Sequence, residues 1–314
     1  MEKHIIKHPA RRTVYLFDYH PPISISAEKS DFKVSIIEGA SPYLPKEVEQ
    51  RVDENWQSFV AEKPKAIDNP VAYLLDYNKN PDGIELKVHL AGFRYNQYFN
   101  RDDYEMKDAD FADLGYCPLA SWILITCENG KYALFGNKID FGKNIISGFG
   151  GFTAKEDIKQ NQDRSREVDV NAHLERALQQ EMGEISKTIA EKRSLGVNFL
   201  PYVAPRGNDN IYHVSLDATK EQAMRLMKAN DQMSDKLIQI EATPDQLVKL
   251  LLETSREPST SCFGGIFSFI GSKYGADELK KHISIYNAGH KRVDVQVLNP
   301  LLDGNFYERV KNLQ

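Results

Sequence analysis

The stretches IISGFGGF (145–152) and AHLERALQQEMGE (172–184) decide how this chain is interpreted. The first stretch contains two adjacent glycines, and glycine lets a backbone approach a ligand closely because it has no Cβ and tolerates positive φ. The second stretch has helical spacing, since at about 100° per residue its polar side chains fall on one arc and its apolar side chains on the adjoining arc. Together they predict a ligand site between a glycine-rich turn and a helix.

The two arcs of the predicted helix have different compositions. The polar arc contains His173, Ala177, Gln180, Glu181 and Glu184, and the apolar arc contains Leu174, Leu178, Met182 and Ile185. A polar arc of this kind also fits a helix that simply turns one face to water. The glycines before the helix, and the acids Glu156 and Asp157 that follow them, favour a site over a solvated face.

These two stretches resemble the signature of the Nudix hydrolases. Gly151 to Asp157 resembles its first half, G-x5-E, with aspartate in place of glutamate. Arg176 to Glu184 resembles its second half, R-E-U-x-E-E-x-G-U, in which U is a bulky apolar residue. Four positions are kept, as Arg176, Leu178, Glu181 and Gly183.

The pattern also departs from the signature. Ala177 and Gln180 stand where the first two helix glutamates are expected, and Glu184 replaces the final apolar residue. The eleven residues KQNQDRSREVD (159–169) lengthen the spacing between the two halves. In these respects the chain resembles the branch of the family that includes UDP-sugar diphosphatases. Members of that branch have such an insertion, a preceding domain, and an Arg-Asn pair before the strand that follows the motif.

The resemblance implies a divalent cation, Mg²⁺ or Mn²⁺, because hard cations bind oxygen ligands and neutralise phosphoryl oxygens. Carried over by position, the predicted metal ligands are Glu181, Gln180, the carbonyl of Gly150, and Asp157. The predicted catalytic residues are Glu181, Glu184 and His173. Glu156, Glu167 or Asp169 could substitute for the missing carboxylates, and Asp169 could instead be the N-cap of the helix.

The predicted substrate-binding residues are Arg206, Asn208 and Gly151, with the arginine binding phosphate oxygens through its planar fork. Trp122, Phe149 and Phe152 either stack on a base or pack in the core. The resemblance implies a hydrolase that cleaves the diphosphate of a nucleoside diphosphate linked to another moiety, such as a UDP-sugar. Because two acids are replaced, the alternative is an inactive nucleotide-binding or protein-interaction module.

Composition excludes several other classes. The net charge is −5 with no long basic run, which argues against a nucleic-acid partner. The absence of a signal-like or membrane-spanning segment predicts a cytoplasmic protein. Cys117, Cys127 and Cys262 are scattered and are expected to be reduced, buried thiols. The expected partner is a small nucleotide or nucleotide sugar. The sequence does not decide whether the protein forms a homodimer.

Strand-like and helix-like stretches alternate without a βαβ rhythm, which predicts an α+β fold. Hairpins are expected around the Asn-Lys-Asn-Pro-Asp-Gly segment at 78–83 and around Glu128-Asn129-Gly130. The acidic connector at 100–115 suggests a boundary between a β-rich N-terminal domain with one helix (1–110) and a second domain (111–314). By resemblance, the second domain would be a Nudix-like mixed sheet sandwiched by helices.

Overall fold

The computed structural model confirms the α+β class: within the described residues it contains two mixed sheets and seven α-helices. It describes residues 12–25, 31–40, 44–80, 83–99, 118–140, 143–200, 207–226, 237–254, 257–289 and 293–297. The helices are α1 (Lys46–Glu62), α2 (Phe93–Phe99), α3 (Val170–Met182), α4 (Lys220–Leu226), α5 (Pro244–Glu253), α6 (Thr260–Tyr274) and α7 (Ala276–Gly289).

The larger sheet has the strand order β13-β7-β6-β5-β11-β10-β1-β14, with β12 paired to β6. Its strands are β1 (Arg12–Ser24), β5 (Leu119–Cys127), β6 (Tyr132–Asp140), β7 (Lys143–Ser147), β10 (Ile189–Leu200), β11 (Gly207–Leu216), β12 (Ile238–Glu241), β13 (Glu257–Pro258) and β14 (Val293–Val297). The pairs β11–β5, β1–β14 and β13–β7 are parallel, and the other pairs are antiparallel.

The smaller sheet has the order β3-β4-β2-β9-β8. Its strands are β2 (Phe32–Ile36), β3 (Pro70–Asn80), β4 (Gly83–Gly92), β8 (Ile158–Gln160) and β9 (Arg166–Val168). The hairpin β8–β9 is formed by the inserted segment, and Ser35 and Ile36 of β2 pair with β9. The insertion between the two halves of the motif is therefore part of a sheet.

Two apolar cores lie on opposite faces of the larger sheet. On one face, strand residues such as Leu124 and Phe135 pack against α5, α6 and α7. On the other face, Ile123 packs in a core shared with α3 and with the smaller sheet. Helix α3 is thus held between the two sheets, with Leu174 and Leu178 fully buried in that core.

Local sequence signals account for several of these elements. Glu128, Asn129 and Gly130 all have positive φ, as the turn of the β5–β6 hairpin requires. β3 and β4 form the other expected hairpin. Asp169 is the N-cap of α3, since its side chain accepts a hydrogen bond from the backbone N–H of Ala172 at 3.0 Å.

Cys127 and Cys262 are buried free thiols, while Cys117 lies outside the described residues.

Strands before the predicted boundary at residue 110 pair with strands after it. β1 lies between β10 and β14 in the larger sheet, and β2 lies between β4 and β9 in the smaller sheet. The connector at 100–115, where the boundary is predicted, lies within residues 100–117, which are outside the described residues. In the part of the chain that is described, no helix combines the length and the apolar character needed to cross a membrane.

Candidate functional site

The glycine-rich segment runs along β5. The backbone N–H of Ile123 donates to the carbonyl of Phe149 at 2.7 Å, and the N–H of Ser121 donates to the carbonyl of Gly151 at 2.9 Å. Gly150 has φ +133°, and a Cβ at this position would collide with the carbonyl oxygen of Ser121. A side chain there would therefore push the segment away from the strand, which is why glycine is needed.

Asp157 ends a short 3-10 turn (Lys155–Asp157) and is only 1% exposed. Arg176 donates to both of its carboxylate oxygens, from Nε to Oδ1 at 2.8 Å and from Nη2 to Oδ2 at 2.7 Å. The backbone N–H of Ala154 also donates to Oδ2, at 2.8 Å. These bonds tie the turn after the glycines to α3, so the two halves of the motif meet in space.

The electrostatics of Asp157 follow from these contacts. Burial by itself raises the pKa of this carboxyl, but the hydrogen bonds from Arg176, His173 and the Ala154 backbone outweigh that effect and hold the pKa well below its usual range. The same contact with Asp157 raises the pKa of Arg176. Since both oxygens already accept hydrogen bonds, Asp157 organises the start of the site and has little capacity left for a cation.

His173 links Asp157 to β5. Its Nδ1 lies 2.8 Å from Asp157 Oδ2, and its Nε2 lies 2.5 Å from Ser121 Oγ. A carboxylate only accepts hydrogen bonds, so Nδ1 carries the proton, and in the neutral ring Nε2 accepts from the serine hydroxyl. All three side chains are buried, so this chain of hydrogen bonds fixes α3 against the strand.

Ser121 was not among the residues predicted from the sequence. It lies in an apolar strand, and nothing in the local pattern distinguishes it from a core hydroxyl. Asp209 is a second buried polar residue that the sequence analysis did not single out; it lies at the start of β11 beside Ser261 of α6, on the face of the larger sheet opposite α3. Asp209 is buried beside Ser261, and burial raises the pKa of its carboxyl to about 6 although the hydrogen bond from Ser261 lowers it.

The predicted polar arc of α3 is divided by the structure. His173 and Ala177 are buried, whereas Gln180 is exposed and its Oε1 accepts a hydrogen bond from Arg176 Nη1 at 2.8 Å. Glu181 is partly buried near the end of the helix. Glu184 follows in the 3-10 turn Gly183–Thr188, and its side chain lies outside what is described. Among the described side chains of this arc, those near the carboxyl end of the helix are the ones that reach solvent.

A cavity of about 580 Å³ lies on another face of the helix. It is lined by Glu175, Arg176, Gln179, Ser24, Ile25, Lys187, Ile189, Ala190, Glu191 and Lys192. Lys192 and Glu175 form an ion pair across it at 2.5 Å. Because positions 175, 176 and 179 point away from positions 177 and 181 on a helix, this cavity and Glu181 lie on different sides of α3.

The remaining residues predicted from the sequence to bind substrate or metal lie in several different parts of the structure. Arg206 lies outside the described residues, and Asn208 contributes backbone pairing to β11 while its side chain is not described. Glu156 is exposed. Glu167 forms ion pairs with Lys159 at 3.0 Å and Lys33 at 3.5 Å. These pairs engage Glu167 within the smaller sheet.

The donors near the end of α3 set what the site could hold. Within the residues that the structure describes, no group of three or more His, Cys, Asp or Glu side chains is close enough to hold a metal ion. Glu181 offers one carboxylate, and Gln180 offers an amide oxygen that Arg176 already engages. Mg²⁺ is commonly held by one or two carboxylates together with substrate phosphates. This donor set fits a cation that arrives with a diphosphate better than one held by the protein alone.

Comparison with known proteins gives only distant similarities. The sequence matches no protein-family model, and no curated protein matches it. Among solved structures, the chain is similar to DR0079 from Deinococcus radiodurans, with 12% identity over 46% of this chain and 78% of that one and a TM-score of 0.32. It is similar to a mutant of the Bacillus subtilis pyrophosphohydrolase BsRppH, with 16% identity over 58% of this chain and 89% of that one and a TM-score of 0.29. A Nudix-family hydrolase from Clostridium perfringens has 9% identity over 52% of this chain and 96% of that one, with a TM-score of 0.26. At these levels, function has to be inferred from the residues of the site.

Proposed function

We propose that this chain is a divalent-metal-dependent hydrolase of the Nudix type, which cleaves the diphosphate of a nucleoside diphosphate linked to another moiety. A UDP-sugar, cleaved to UMP and a sugar phosphate, is the proposed substrate class. The observation that carries the proposal is the double hydrogen bond between Arg176 and Asp157. It joins the glycine-rich half of the motif to the helical half, although a strand hairpin is inserted between them in sequence.

In this proposal, Glu181 supplies the carboxylate for the cation, and the carbonyl of Gly150 and the substrate phosphates supply further oxygens. When bound, Mg²⁺ or Mn²⁺ would neutralise charge on the phosphoryl oxygens and lower the pKa of a water molecule. Asp157, Arg176 and His173 hold α3 in place beside the glycine segment. Glu184, Arg206 and Asn208 stay as predicted contributors to catalysis and substrate binding.

Turnover of UDP-glucose, with UMP release followed by chromatography in the presence of Mg²⁺, tests the proposal. Glu181→Gln removes the charge but keeps the shape, so we expect it to reduce kcat at least about a hundredfold if the carboxylate holds the cation. Glu253→Gln is the matched control, because Glu253 also lies at the carboxyl end of a helix (α5) but on the other side of the sheet. Equal activity of the Glu181→Gln variant and the wild type would contradict the assignment.

A second candidate is a protein of the same architecture that binds a nucleotide without cleaving it. Two observations favour it: Ala177 is buried and has no side-chain oxygen, and the side-chain oxygen of Gln180 accepts a hydrogen bond from Arg176. Calorimetric binding of UDP-glucose with no product after prolonged incubation across several divalent metals would establish this alternative. Measurable turnover that depends on Glu181 would exclude it.

A further inference from the structure

The three aromatic residues around the glycine segment differ sharply in exposure. Trp122 and Phe149 are buried and pack in the two cores of the larger sheet. The side chain of Phe152 is 36% exposed. Of these three rings, therefore, Phe152 is the one that a ligand in solution can reach.

The backbone of Phe152 is held firmly. It forms a bridge with Ala120, and its carbonyl oxygen accepts a hydrogen bond from Arg176 Nη2 at 3.1 Å. The residue directly follows Gly151, whose carbonyl is bound to Ser121. An exposed ring on a fixed backbone loses little conformational freedom when a ligand binds to it.

A second ring lies beside Phe152. The centroid of Phe93, the first residue of α2, is 6.0 Å from that of Phe152, with 57° between the ring planes. The N–H of Phe93 donates to the carbonyl of Asn69 at 2.9 Å. The N–H of Arg94 donates to Asp68 Oδ1 at 2.9 Å. These bonds hold the backbone at the start of α2 in place, and the rings of Phe93 and Phe152 pack against each other.

We propose that Phe152, supported by Phe93, is the stacking surface for the nucleobase of the ligand. A planar base gains free energy by stacking on an aromatic face, and this gain does not depend on which base is present. The ring lies one residue from Gly151 and two from Gly150, so a base stacked on it would place the attached phosphates near the glycine segment. That the ligand is a nucleotide rests on the proposed function. Stacking of its base on Phe152 requires that the nucleotide binds, but it does not require that the nucleotide is cleaved.

Calorimetric titration of Phe152 variants tests this site. Phe152→Leu keeps an apolar side chain of similar size but removes the π face, and Phe152→Trp enlarges that face. We expect the leucine variant to weaken UDP binding roughly tenfold, and the tryptophan variant to bind UDP at least as tightly as the wild type. Pyrophosphate and glucose 1-phosphate, which have no base, should bind all three proteins equally.

Tyr274→Leu is the control, because Tyr274 is 38% exposed but lies at the end of α6 on the other side of the larger sheet. Thermal unfolding of each variant shows whether it is folded. The proposal is overturned if the wild type does not bind UDP, if Phe152→Leu binds UDP unchanged, or if that variant loses UDP and pyrophosphate to the same extent. If UDP binding depends on Phe152 but no UDP-sugar is cleaved, only the proposed hydrolase activity is refuted. If the Phe152→Leu variant cleaves UDP-glucose with an unchanged KM, only the stacking proposal is refuted.

Discussion

Asp157 receives four hydrogen bonds in a space from which water is excluded: two from Arg176, one from His173 and one from the backbone of Ala154. A buried carboxylate without donors would be protonated, so these donors are what keep it charged. Its charge in turn fixes the arginine and the imidazole. At this position a carboxylate stabilises the connection between two segments, and that is a structural task which a sequence pattern alone does not distinguish from metal binding.

Asp157→Asn should destabilise the protein by about 3–5 kcal/mol at neutral pH, because it removes one partner of a buried ion pair. The folded-state pKa of Asp157 lies below its ordinary value, so its contribution is fully present above about pH 4 and is lost as the pH falls through the folded-state pKa. The difference in unfolding free energy between variant and wild type should therefore shrink in acid. Urea unfolding measured from pH 7 down to pH 3 checks both statements.

Glu156→Gln is the control for this measurement, since Glu156 is the exposed neighbour in the same turn. Surface substitutions of this kind usually change stability by less than about 0.5 kcal/mol. A difference for Asp157→Asn that stayed constant across the pH range would show that the lost stability does not come from the charge of the carboxylate.

The glycine segment shows how a single element depends on backbone geometry. Gly150 and Gly151 are adjacent, yet only Gly150 has positive φ and lies against the carbonyl of Ser121. A Cβ added to Gly151 would have no atom of the described residues within 4 Å, apart from its chain neighbours. Two identical residues in the sequence therefore have different requirements, and only the pairing of the segment with β5 reveals which glycine is essential.

Gly150→Ala should destabilise the protein by at least about 2 kcal/mol, because the new methyl group collides with a strand carbonyl at a strained φ. Gly151→Ala should change the unfolding free energy by less than about 1 kcal/mol, since the carbonyl that Ser121 binds is retained. Thermal unfolding of both variants gives the comparison. Similar losses in the two would mean that the segment does not lie on β5 as described.

At the scale of the whole molecule, local signals and long-range pairings differ in how far they can be predicted. The turn at Glu128 to Gly130 and the N-cap at Asp169 depend on residues within a few positions of each other; the turn is found as predicted, and of the two roles considered for Asp169 the structure shows the N-cap. The parallel pairing of β5 with β11, and the place of β1 between β10 and β14, join segments far apart in sequence. The apolar residues of these strands fit many partners, so a single sequence does not specify which strands pair.

The candidate site was likewise only partly predictable from the sequence, because its geometry depends on contacts between distant segments. The turn at Asp157 and the helix at Arg176, which the resemblance assigns to the two halves of one motif, are in contact in the structure. It could not show that Ala177 is buried or that Gln180 is engaged by Arg176, because both depend on the orientation of α3 between two sheets. Ser121 entered the site through strand pairing alone, and the pattern of its own strand carries no signal for it.

The long-range pairings predict that residues 111–314 do not fold by themselves. Removing residues 1–110 deletes β1 from between β10 and β14, and it deletes β2, β3 and β4 from the smaller sheet. Phe32, Val34, Leu74 and Leu86, which are at most 2% exposed, would leave the core that holds α3. Each such side chain contributes about 1.5–3 kcal/mol on burial, and a typical domain has only about 5–15 kcal/mol of net stability.

Circular dichroism and two-dimensional NMR of the fragment 111–314 provide the measurement, with the full chain as reference. We expect poor chemical-shift dispersion and no cooperative thermal transition in the fragment alone. Adding the separate fragment 1–110 should restore part of the dispersion, because the missing strands of both sheets would again be present. A well-dispersed spectrum and a cooperative transition for 111–314 alone would show instead that it is an independent domain, and that β1 and the smaller sheet add to a core already complete without them.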